Sequence, residues 1–94
     1  MKREEHEAEC VEKLGKPFTE VHVYLDQFFR EYSFRHRCKL HHKRGIELVR
    51  QQFGEEAAKA ATLHILSDLA MEGFPCDEEL IPRDEAEYKR IGLM

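Results

Sequence analysis

The sequence predicts an all-α fold: a small bundle of three main antiparallel helices with short terminal helices. Three observations predict it. Apolar residues recur at helical spacing from Val21 to Leu69, with no sustained alternation of the kind a half-buried strand shows. The chain has only three prolines and five glycines, few for a sheet-and-turn architecture. Most of these stand where a helix would stop: Gly15 and Pro17, Gly54, Gly73 and Gly92. At 94 residues and 41% hydrophobic side chains, the chain is one globular domain with a small core. It divides into an N-terminal segment (1–16), a helical core (19–72), and a loop with a short helix (73–94).

The segment 1–14 is charged. Its thin apolar stripe, Ala8, Val11 and Leu14, predicts a loosely docked helix. Thr19 is a candidate cap for a second helix reaching about Tyr32. Val21, Leu25, Phe28, Phe29 and Tyr32 share one face of it, His22 lies toward the edge, and Asp26 follows four residues on. A third helix is expected from a Ser33 cap to Gln52, stopped by Gly54. Cys38, His41, His42, Gly45, Val49 and Phe53 fall on one side of it, and Arg37, Lys43, Arg44 and Glu47 toward the other. Glycine costs about 1 kcal/mol against alanine inside a helix, so Gly45 on the inner face predicts a close approach to its backbone.

The fourth helix is expected from about Glu55 to Glu72. Glu55 and Glu56 suit its positive end. Ala57, Ala58, Ala61, His64, Ile65 and Asp68 share a face. The alanines admit a neighbouring helix. The short connection at Gly54 makes the third and fourth helices antiparallel neighbours, bringing His64 and Asp68 toward the His41 and His42 end. Beyond Gly73, Asp84 is a candidate cap for a short acidic helix, with Ile81, Tyr88 and Ile91 over one end of the core.

The net charge of −4 hides an asymmetry. Residues 30–50 hold seven basic against two acidic side chains, and residues 51–94 hold four against ten. The basic middle could meet an anionic partner or the acidic half of a second copy. Overall negative charge argues against nucleic acid. The cysteines Cys10, Cys38 and Cys76 are odd in number and lack CxxC spacing, which argues against disulfides and a cysteine-based zinc site. No stretch is long and apolar enough for a membrane span, and MKREEHEAEC lacks the apolar core of a signal peptide, so a cytoplasmic location is expected.

The chemistry-bearing set is His22, Asp26, His41, His42, His64 and Asp68, drawn toward one interior. Buried carboxylates are costly unless paired, hydrogen-bonded or on a metal. Imidazole and carboxylate are ligands for zinc, manganese, iron or nickel, and helices of a bundle supply them inward. The set therefore predicts a divalent-metal site, which a bound water would make hydrolytic. The competing expectation is a hydrogen-bonded His/Asp network that fixes helix register in a non-catalytic interaction module or homo-oligomer subunit. Cys38, three and four residues before the histidine pair, reads as a small buried hydrophobe, a ligand or an activated thiol.

The run YLDQF, then RHR with LHHKRGIELV, then FG, HILSDL and Ile81-Pro82, resembles a family of small, mostly uncharacterised prokaryotic and phage-type proteins. The resemblance spans about His22 to Pro82. It implies that His22, Asp26, His36, His41, His42, His64 and Asp68 belong to one pattern, and it implies no activity. A fainter similarity is to HD-type metal-dependent phosphohydrolases. Those place an adjacent His-Asp pair on the metal, whereas here His42 is followed by Lys43.

Overall fold

In the computed structural model, residues 3–32, 37–71, 73 and 77–90 are described. All regular structure among them is helical. The order is α1 (Arg3–Leu14), α2 (Thr19–Leu25), α3 (Phe29–Tyr32), α4 (Arg37–Leu40), α5 (Lys43–Phe53), α6 (Glu55–Met71), a 3-10 turn at Glu78–Leu80, and α7 (Glu85–Arg90). The Ser33 cap, His36, Cys76, Ile91, Gly92 and the Cys38 side chain lie outside the described residues.

Helix α6 is the spine. Ala57, Ala58, Ala60 and Ala61 line its first half and are all buried, so α5 can lie close against it. One turn on, His64, Ile65, Asp68 and Leu69 occupy the same buried face. Val21, Leu25, Leu40, Ile46, Val49, Ile65, Leu69 and Ile81 complete the core. Gly54, at φ 100°, separates α5 from α6 as the spacing predicts. Asp84 caps α7 by accepting the Glu87 N–H at 2.9 Å.

Two expected helices are broken. The expected 19–32 helix ends at Leu25, and the chain turns through Asp26 before α3. The start also differs: Phe18, not Thr19, occupies the cap position, at φ 52° and without a side-chain cap bond. A left-handed non-glycine residue costs about 1–2 kcal/mol. The expected 33–52 helix stops at Leu40, and His41 and His42 form a break before α5. Gly45 explains the geometry: a Cβ there would lie 1.8 Å from the Leu40 carbonyl oxygen. The close approach read from the glycine is real, but the approaching group is the backbone just before the break.

That break leaves the first amides of α5 without helical acceptors. Pro82 and Arg83 supply carbonyls to Lys43 and Arg44 at 2.8 and 2.9 Å, and the His42 ring accepts from Gly45. The C-terminal segment thus caps α5, with Pro82 fully buried.

The buried face of helix α1 is not the expected one. Val11 is 50% exposed and Ala8 is exposed, whereas His6 and Cys10 are buried and Leu14 is half-buried. The inward positions are four residues apart and begin with a histidine.

The basic middle meets the acidic end within the chain. Lys39 pairs with Glu85 at 3.4 Å, and Arg50 with Glu55 at 2.8 Å. No helix among the described residues is long and apolar enough to cross a membrane.

Candidate metal centre

Four elements deliver six polar side chains to one interior. His64 and Asp68 are four apart on α6, so they stack on one face of the helix. His41 comes from the break between α4 and α5, where no helical register constrains it. Asp26 stands at the C-terminal end of α2. His22 is on α2 and His6 on α1. His6, His22, His41 and His64 are all buried to 1% exposure or less. Asp68 is 5% exposed. The Asp26 side chain, at 33%, is the member that solvent reaches.

His64 sits at the centre. Its Nε2 lies 3.0 Å from His41 Nε2, 3.4 Å from Asp68 Oδ2 and 3.5 Å from Asp26 Oδ1. His41 Nε2 lies 3.2 Å from Asp68 Oδ2 and 3.5 Å from Asp26 Oδ1. The two imidazole nitrogens thus lie 3.0 Å from each other and 3.2 to 3.5 Å from one oxygen of each carboxylate. A tetrahedral ion with bonds of about 2.0–2.1 Å sets its ligands about 3.3–3.4 Å apart. Two triads that share His64, namely Asp26–His41–His64 and His6–His64–Asp68, are each close enough to hold a metal ion or to form a hydrogen-bond network.

Two further histidines flank these four groups. His6 Nε2 lies 3.2 Å from Asp68 Oδ1, the oxygen turned away from His41 and His64. The His6 and His64 rings stack at 3.8 Å between centroids. A stacked, buried ring that binds the outer oxygen orients the carboxylate. On the other side, His22 Nδ1 lies 2.8 Å from His64 Nδ1. His22 Nε2–H donates to the Pro17 carbonyl at 3.0 Å.

The electrostatics follow from burial. Desolvation lowers the His64 pKa to about 3, with the neighbouring His41 and His6 acting in the same direction and Asp26 against them. Desolvation likewise lowers that of His22. For Asp68 burial acts to raise the pKa, but hydrogen bonds from His41 and His6 outweigh it and hold the carboxyl well below the usual range. The site therefore joins an ionised, desolvated carboxylate to a neutral imidazole.

Of the six predicted site residues, His22, Asp26, His41, His64 and Asp68 come together. His42 does not. Its Nδ1 accepts the Gly45 N–H at 3.1 Å, so Nε2 carries the proton and donates to the Lys39 carbonyl at 2.9 Å. Both ring nitrogens are spent on backbone, and His42 is the N-cap of α5. Replacing a capping side chain costs about 0.5–2 kcal/mol. His42→Ala should lower stability by about 1–2 kcal/mol in urea denaturation. A His42→Ala variant as stable as wild type would contradict the capping role.

His22, read at the edge of its helix, is wholly buried. His6 was absent from the predicted set. Its spacing to Cys10 and Leu14, four residues each, is the signal that would have found it. Cys10 Sγ lies 3.6 Å from His22 Nε2, and desolvation raises the thiol pKa to about 11. Cys10 is therefore a neutral buried thiol at physiological pH. Comparison with protein-family models, with curated proteins and with solved structures returned no significant match.

Proposed function

We propose that the chain binds one divalent transition-metal ion through His41 Nε2, His64 Nε2, Asp26 and Asp68 Oδ2. The approach of two imidazole nitrogens to each other and to one oxygen of each carboxylate, at 3.0 to 3.5 Å, carries this reading. Charge supports it. Asp68 is desolvated among imidazoles, and His64, held neutral, does not supply the compensating positive charge. A divalent cation does. Two nitrogen and two oxygen donors suit zinc, with manganese, iron and nickel as competitors. Asp26, the most exposed member, marks where solvent or a substrate would approach, so hydrolytic chemistry would have its entry there. His6 then holds the outer oxygen of Asp68.

The experiment is elemental analysis of untagged protein, with thermal melts in added Zn2+, Mn2+, Fe2+ and Ni2+. We expect close to one equivalent of bound metal. At a free metal concentration about a hundredfold above Kd, binding should add about 2.7 kcal/mol, raising Tm by roughly 10 °C or more. Asp68→Asn should abolish the shift, as should Asp26→Asn, whose side chain is less engaged with the core. Protein without metal, and with a Tm indifferent to all four ions, would leave the His/Asp network as purely structural.

A further inference from the structure

The chain of contacts behind His64 runs in one direction. A carbonyl oxygen only accepts, so the 3.0 Å contact to Pro17 places a proton on His22 Nε2. A neutral imidazole has no second proton, so His22 Nδ1 is a lone pair. His64 Nδ1 lies 2.8 Å away, a hydrogen-bond distance that two lone pairs would not tolerate. His64 Nδ1 must therefore be the donor. A neutral His64 is then left with a bare Nε2, which points at His41, Asp68 and Asp26. Facing two carboxylate oxygens, that lone pair is repelled, and a cation between them turns the repulsion into coordination.

We propose that His22 is a positioning residue: held by the Pro17 carbonyl, it fixes His64 as the Nδ1–H tautomer and so presents His64 Nε2 to the metal. This rests on the metal-binding reading for its purpose, but the tautomer stands on the contacts alone. The backbone is shaped to serve it. Phe18, next to Pro17, holds a left-handed conformation without the glycine that would make it easy. Its carbonyl accepts the Val21 and His22 amides at 3.0 and 3.3 Å, so the turn that orients Pro17 also starts the helix carrying His22. Strained backbone persists where surrounding structure over-determines it, and here it sets the angle of one carbonyl toward one ring. Metal-ligating histidines are generally oriented by an acceptor on the far nitrogen, usually a carboxylate, carbonyl or water. In this protein a second imidazole fills that role and passes the orientation on from a backbone carbonyl.

The test is the tautomer itself, read by long-range 1H–15N NMR of the imidazoles in metal-free protein at pH 7.5. We expect His22 to carry its proton on Nε2 and His64 on Nδ1; His64 protonated on Nε2 would overturn the proposal. The second arm is His22→Phe, which keeps a ring in the core and removes both hydrogen bonds. It should weaken Zn2+ binding about 10- to 100-fold with stoichiometry unchanged, and His64 should lose its single-tautomer signature. Unchanged affinity in a folded His22→Phe would also overturn the proposal. If His22→Phe does not fold, the wild-type tautomers alone decide. If the wild-type protein binds no Zn2+, the metal reading fails, and the tautomer measurement still decides whether His22 orients His64.

Discussion

Taking the metal-free protein from pH 7 to pH 4 is expected to unfold it or bring it close to unfolding. His64 has a folded pKa of about 3 because burial disfavours its charged form, against an ordinary value of 6.5. The folded state thus binds fewer protons than the unfolded one between those limits. Stability is greatest above about pH 6.5 and falls as the pH drops toward 3. Closing that gap in full is worth roughly 5 kcal/mol. His22 and His42, both lowered chiefly by burial, act in the same sense. Asp68, held low by His41 and His6 against its own burial, contributes stability above the ordinary carboxylate range and loses it at still lower pH. A chain of this length has a total stability of roughly 5–14 kcal/mol, so these terms dominate. Circular dichroism with a chelator present should show the transition between about pH 6 and 4. Saturating Zn2+ should move it to lower pH, because ligands must be deprotonated to bind. A melting temperature that does not change from pH 7 to pH 4 would contradict the neutral-histidine core.

Much of this architecture is legible in the residues, and the parts that are not share a cause. Helix α6 announces itself through its acidic first turn, its four buried alanines and the glycine after it, and His64 and Asp68 lie on the expected face. The Gly54 and Asp84 boundaries are legible for the same reason: each residue type has a local conformational job. The breaks at Asp26 and at His41–His42 carry no proline and no glycine at the break itself. A helical wheel run through them assigns His42 to the site, His22 to an edge, and the exposed Phe29 to the core. What breaks these helices is tertiary: Pro82 and Arg83 capping α5 from far along the chain, and the His/Asp cluster drawing Asp26 and His41 inward. His6 escaped because a hydrophobicity count treats histidine as polar. On α1 the inward face is built largely from a histidine and a cysteine, which meet Asp68, His64 and His22.

Gly45→Ala separates the observed break from a continuous helix, because the two predict opposite signs. In an ordinary helix interior the change should stabilise by about 1 kcal/mol. Here the added Cβ would lie 1.8 Å from the Leu40 oxygen, 2.6 Å from its carbonyl carbon and 3.0 Å from its Cα. All three atoms are backbone, so no rotamer relieves the overlap. Relief requires moving α4 away from the start of α5. The Leu40 carbonyl also accepts the His42 N–H at 2.9 Å, and the His42 ring holds the Gly45 amide at 3.1 Å, so the displacement pulls apart the cap as well. His41 lies inside the segment that must move, and its Nε2 contacts His64, Asp68 and Asp26 at 3.0 to 3.5 Å. We expect Gly45→Ala to destabilise by roughly 3 kcal/mol or more, as overpacking against fixed backbone does. Whatever fraction remains folded should bind metal far more weakly, since a ligand displaced by 1 Å no longer meets the ion's geometry. Urea denaturation of the variant beside wild type reads the sign directly. A more stable Gly45→Ala would mean that the chain runs helical through His41 and His42. The two rings would then point from one continuous face, and the ligand set would have to be redrawn around the pair.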